Sequence, residues 1–284
     1  MPVVMISTLT ERGAEVTMRA LELGAVDFVA KPRIGLVDGM KELAGNIVDK
    51  IRVAASAKVQ RKLPVAGAVL SAPSSSSGGA VVPLGRVSTE KLVFIGASTG
   101  GTEAIKEILT RLPADSPGVV ITQHMPPGFT TSFAARLNGL CQITVQEAVH
   151  GARVLPGHAY IAPGGRQFRV EKSGANYVCV VEEGELVNRH RPSVEVLFRS
   201  AAKVVGRNAF GIMLTGMGND GARAMKEMKD AGSYNYVQDE ASCIVFGMPR
   251  EAILSGAADE ILPLLEIAPA LLQRLKGSSD RYRV

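Results

Sequence analysis

Ser98, His124 and Asp220, each just beyond an apolar run, could together cut an ester or an amide. KLVFIGASTGG sets Ser98 in a Gly-x-Ser-x-Gly turn, where Gly96 and Gly100 permit a tight bend that exposes the hydroxyl. GVVITQHMPPG sets His124 just past a second run, with Pro126, Pro127 and Gly128 fixing the loop behind it. AFGIMLTGMGNDGA sets Asp220 in a glycine-rich loop ahead of a helical segment. A serine hydroxyl is a weak nucleophile until an imidazole takes its proton. The imidazole works best when a carboxylate fixes its tautomer and steadies its charged form. Ser98 as nucleophile, His124 as base and Asp220 as orienter supply those roles. Their chain order differs from that of α/β-hydrolases, which argues against that fold but not against a triad, since triads are defined by geometry. The backbone N–H of Thr99, at a helix start, is a candidate oxyanion donor, and the TGMGND loop is expected to supply a second.

Taken singly, each residue has a plain structural reading; the joint placement carries the inference. A dinucleotide-binding module is the rival, because strand, glycine-rich turn and helix also describe a pyrophosphate cradle. Ser98 occupies the place of the middle glycine, however, and no acid near position 120 is available to hold a ribose. Four histidines without close ligand spacing predict no metal, and no cofactor is expected. Cys141, Cys179 and Cys243 form no paired motif, Cys243 reads as an inert buried thiol, and a reducing cytoplasm is the expected compartment. His150 and His158 read as surface or hydrogen-bonding residues, and Met225 and Met228 as core. His190 divides evenly between supporting the triad and a substrate loop. Arg189, His190 and Arg191 form a basic cluster that fits a solvated loop as well as an anion-facing one. A net charge of +5, dispersed over the chain, excludes a nucleic-acid footprint, and no apolar run reaches the ~20 residues of a membrane span.

The elements that must position these groups follow from the apolar pattern. Residues 2–7 and 25–30 read as strands and 11–23 and 40–57 as helices, a β-α-β-α piece that would leave a sheet edge and much apolar surface uncovered by itself. Residues 58–88, rich in Ser, Gly and Pro, read as a flexible linker that lets the flanking pieces move independently. From 89 to 284, apolar strands alternate with helical segments at 102–112, 130–140, 193–205 and 221–231, then near Pro249 and Ile267. This predicts an α/β domain with a doubly wound, mostly parallel sheet. HAYIAPGG, QFRVEK and NYVCVV are expected as an antiparallel extension at one end of it. In such sheets ligands bind beyond the carboxyl ends of the strands, where all three reactive residues fall.

IGASTGGTEAI, QHMPPGFTTSFAARL, RHRPSV, LTGMGNDGA and QDEASCIVFGMPREAI, in this order, resemble the CheB-type chemotaxis protein-glutamate methylesterases over roughly residues 90 to 265. The resemblance places Ser98, His124 and Asp220 on the family's catalytic triad, Met217 on its oxyanion-side loop, and Thr99 and His190 beside the site as substrate-binding positions. It implies a cytoplasmic serine hydrolase of bacterial chemotaxis. Such an enzyme removes methyl groups, as methanol, from glutamate γ-methyl esters on cytoplasmic helices of methyl-accepting chemoreceptors, and deamidates certain receptor glutamines. Residues 1–57 resemble the last part of the family's response-regulator receiver domain, with Ser7 at the switch hydroxyl and Lys31 and Pro32 at the lysine-proline step. The phosphoacceptor aspartate would lie before Met1, so phosphorylation by the family's chemotaxis histidine kinase is not expected of this chain as it stands. A non-catalytic receptor-binding adaptor is the remaining alternative.

Overall fold

Residues 1–8, 10–31, 37–57, 84 and 90–279 are described by the computed structural model. The first two apolar runs form parallel strands β1 (Val4–Ser7) and β2 (Asp27–Ala30), joined by helix α1 (Glu11–Glu22) and followed by α2 (Val37–Ser56). Thr10 starts α1 by accepting the Gly13 N–H with its side chain, which satisfies one of the donors that every helix start leaves open. Ala14, Met18 and Leu21, at the spacing of one helix face, are buried against the second half of the chain. The Phe28 ring lies 4.6 Å from that of Phe129, and Glu22 pairs with Arg136. This small layer therefore completes its core by borrowing a surface. All of the expected linker 58–88 except Leu84 lies before residue 90 and outside the described residues; Leu84 is buried in the same core.

The second half builds a sheet of seven parallel strands. These are β3 (Leu92–Ala97), β4 (Gly118–Gln123), β5 (Thr144–Glu147), β6 (His158–Ile161), β9 (Ala209–Met213), β10 (Tyr234–Gln238) and β11 (Glu260–Leu262), ordered β11-β10-β9-β3-β4-β6-β5. The antiparallel hairpin β7 (Gln167–Ser173) and β8 (Asn176–Glu182) stands apart from it. Central strands are apolar on both sides because helices cover both faces. Val93, Ile95, Val119 and Ile121 pack toward α3 (Gly101–Leu109), α4 (Phe129–Asn138) and α8 (Leu264–Ser279). Leu92, Phe94 and Val120 pack toward α5 (Val194–Val204), α6 (Ala222–Asp230), α7 (Met248–Leu254) and the hairpin. Met225 and Met228 are fully buried in that second core, as read from the sequence.

One expectation needs correction. HAYI is not antiparallel: as β6 it pairs parallel to both β4 and β5 within the main sheet, and only QFRVEK and NYVCVV form the antiparallel pair. Alternating burial marks a strand but carries no information about its direction, which was the source of the error. Among the described residues no helix is long and apolar enough to cross a membrane.

Candidate active site

Strands β3, β4 and β9 lie side by side, and the chain winds outward in opposite directions from β3 and β9, so the crevice at their carboxyl ends is the switch point of the sheet. Ala97 pairs with Gln123 at the end of the β3/β4 ladder, and the His124 N–H donates to the Ala97 carbonyl at 3.1 Å. Ser98 and His124 are thus the next residues on adjacent strands. By the alternation that turns Leu92, Phe94 and Val120 toward α5, both fall on the α5 face. Ser98 is held by its main chain. Its N–H donates to the Thr215 carbonyl at 3.0 Å, and its carbonyl accepts from Gly101 N at 2.7 Å and Gln123 Nε2 at 2.9 Å. Gly216 comes so close that a Cβ there would stand 2.8 Å from Ser98 Cβ, which explains a glycine in the TGMGND loop.

The carboxylate is the most heavily bonded group of the crevice. Asp220 Oδ2 accepts from His124 Nε2 at 2.8 Å and from the Val194 N–H at 2.7 Å. Oδ1 accepts from Asn188 Nδ2 at 2.8 Å, Ser193 Oγ at 2.7 Å and the Glu195 N–H at 3.3 Å. Two of these donors are open N–H groups of the first turn of α5, so the carboxylate also sits at that helix's positive end. Burial alone would raise Asp220, but the bonds from His124, Asn188 and Ser193 outweigh it and hold the carboxyl down at about 2. An ionised Asp220 can only accept, so Nε2 carries the proton and donates it in a hydrogen bond, which leaves Nδ1 as the lone-pair nitrogen of His124. That atom is buried without a hydrogen-bond partner, and among the described residues no hydrogen bond joins it to Ser98.

The remaining wall comes from a tight turn. Val187 and His190 exchange both backbone hydrogen bonds, and Asn188 and Arg189 between them take left-handed φ values of 51° and 69°. The turn lays the His190 ring on that of His124, centroids 3.6 Å apart and planes 12° from parallel. Burial first, and then the neighbouring His124, push His190 down to about 4, so the stacked ring is neutral above that pH. Met217, the residue after Gly216, is 38% exposed at the mouth, and neither its N–H nor that of Thr99 is donated to a backbone carbonyl among the described residues. The Thr99 hydroxyl points away from the crevice and donates to Asp27 Oδ2 at 2.5 Å. Among the described residues no group of three or more His, Cys, Asp and Glu side chains is placed to hold a metal ion.

The sequence pattern of the CheB methylesterase family matches residues 93–271, the stretch that carries this sheet and crevice. The chain belongs to the CheB methylesterase family. Similar proteins include the protein-glutamate methylesterase/protein-glutamine glutaminase 1 of Albidiferax ferrireducens, 75% identical over 286 residues, covering 100% of this chain and 77% of that protein. A protein-glutamate methylesterase/protein-glutamine glutaminase 3 of Burkholderia lata is 61% identical over 283 residues, covering 100% of this chain and 78% of that protein. Among solved structures, the Thermotoga maritima CheB methylesterase catalytic domain superposes with a TM-score of 0.63 at 36% identity, covering 65% of this chain and 98% of that one.

The six residues assigned to the site from the sequence thus stand at this CheB-type crevice: Ser98, His124 and Asp220 on three neighbouring connections, Thr99, Met217 and His190 around them. His150 and His158 lie elsewhere, bonded to the carbonyls of Val181 and Pro156. Cys243 is buried. Sequence reading missed Asn188, Ser193 and Gln123. Only their neighbours in the chain, His190 and His124, pointed toward them.

Proposed function

We propose that this CheB methylesterase hydrolyses glutamate γ-methyl esters and deamidates glutamines of proteins, with Ser98, His124 and Asp220 as its triad. Ser98 Oγ attacks the γ-carbonyl while His124 Nδ1 takes its proton. Asp220 stays ionised against the resulting imidazolium. The negative oxygen of the tetrahedral intermediate is met by the Thr99 and Met217 N–H groups and by the positive end of α3. Collapse expels methanol from an ester, or ammonia from an amide, with the proton returned from Nδ1. Water then enters and attacks the acyl carbon as its proton passes to the same nitrogen; the C–O bond to Ser98 breaks, and Nδ1 returns that proton to Ser98 Oγ as the glutamate leaves.

The observation that carries this reading is the His124–Asp220 bond at 2.8 Å through Nε2, which reserves the unpartnered Nδ1 for the strand-end neighbour Ser98. The names of the similar proteins support both activities. Methyl-esterified cytoplasmic helices of chemoreceptors are the proposed substrates and the cytoplasm the proposed compartment. Stoichiometric methanol release from receptor membranes carrying γ-methyl glutamate, abolished in Ser98→Ala, is the expected result. Tight binding to those membranes without methanol release would instead establish an adaptor.

A further inference from the structure

The turn 187–190 contains two consecutive non-glycine residues in the left-handed region. A tight turn of this kind is most easily made by Asn followed by Gly, so Arg189 holds a conformation that costs energy. Such an outlier persists only when its surroundings enforce it, and it calls for an explanation in what the turn presents. It presents one group to each member of a bonded pair of side chains: the His190 ring flat on His124, and the Asn188 amide on Asp220 Oδ1 at 2.8 Å.

We propose that Asn188 is a positioning residue of the hydrolase, its amide fixing the Asp220 carboxylate so that Oδ2 remains aimed at His124 Nε2. The inference rests on the triad reading above. A carboxylate has one soft rotation about its last bond, and a partner on each oxygen is what arrests it. Oδ2 bonds to the imidazole and the Val194 N–H; Oδ1 is bonded by Ser193, Glu195 and Asn188. The first of these and both N–H groups belong to the start of α5, whereas Asn188 comes from the strand-like turn that also supports the His124 ring. It therefore ties the carboxylate and the imidazole to one rigid piece of backbone. The residue itself is exposed, so water competes for its amide, and without it Ser193, Val194 and Glu195 still bond the carboxylate beside His124. The expected loss is accordingly about tenfold, at the lower end for a hydrogen bond to a charged group.

Gly and Asp share Asn's tolerance of left-handed backbone, which makes Asn188→Gly and Asn188→Asp the informative variants of the full chain. The readouts are methanol release from methylated receptor membranes, the rate of inactivation by a fluorophosphonate, and the thermal midpoint, with Ser98→Ala and Asp220→Asn measured beside them. Asn188→Gly is expected to lower kcat and the inactivation rate about tenfold with KM unchanged and the midpoint lowered by only a few degrees, far less than in an Asp220→Ala control. Asn188→Asp, which keeps the shape but faces Asp220 with an acceptor, is expected to fall further. A residue that only shaped the turn would be replaced by glycine at no loss. Glycine activity within twofold of the parent, or a loss confined to KM or to the midpoint, overturns the proposal while Asp220→Asn remains inactive. Full activity in Ser98→Ala or Asp220→Asn overturns the triad reading and this one with it.

Discussion

The two halves of the catalytic crevice differ in how much of their chemistry is already made. On one side Asp220 is 1% exposed and receives five hydrogen bonds, from His124, Asn188, Ser193, Val194 and Glu195. On the other, among the described residues Ser98 is tied only through its main chain, and the nitrogen that is to take its proton in the proposed mechanism lies unpartnered. Burying a charge is tolerable only when it is fully bonded, so the carboxylate had to be completed in the folded protein. A hydroxyl that must attack gains nothing from a permanent partner, and catalytic bonds of this type commonly tighten only when substrate is present. In the proposed mechanism the saturated half is thus both machinery and structure, whereas the open half is machinery alone.

Substitutions in the two halves should separate these roles. Ser98→Ala should lower turnover by ~10⁴ to 10⁶ while shifting unfolding free energy by less than about 0.5 kcal/mol, because no side-chain bond is lost. Parallel turnover assays and urea titrations check both numbers. Asp220→Ala should lower turnover by about 10⁴ and also destabilise the chain by about 3 kcal/mol, since it strands buried donors at the start of α5. Equal stability of the two variants would erase the contrast.

A smaller effect is expected on the dependence of stability on pH. Unfolded His190 gains a proton near the ordinary 6.5, while the folded ring resists until about 4, so the unfolded state binds more protons between those values. Stability should therefore fall as pH drops from 6.5 to 4, and His190→Gln should flatten that window. Asp220 acts lower still: its contribution is complete above 3.8 and is lost as pH falls toward about 2, a step that Asp220→Ala should lack. Unfolding midpoints in urea across pH 3 to 7 read the first window and the upper part of the second.

Much of this architecture was legible in the residues because local patterns encode it. Both-face apolar runs gave β3, β4, β9 and β10, and every helix expected in the second half is found within a few residues of its reading. The gathering of Ser98, His124 and Asp220 was legible because a parallel sheet collects whatever follows its strands at one edge. Other features left no such trace. β11 has three residues, too few for a period, and the direction of β6 depends on partners from elsewhere in the chain. Asn188 and Ser193 reach Asp220 from 32 and 27 residues away, and Thr99 reaches Asp27 across 72. Such bonds are fixed by tertiary packing, and no spacing rule announces them. The left-handed pair at 188 and 189 was equally hidden, since Arg is a poor sign of that conformation.

The most direct measurement is the reaction of the full chain with a serine-reactive fluorophosphonate, followed by peptide mass spectrometry. A single adduct on Ser98 is expected, formed far more slowly in Asp220→Asn. Labelling at a different serine, or labelling of Ser98 at an unchanged rate in that variant, would contradict the triad assignment.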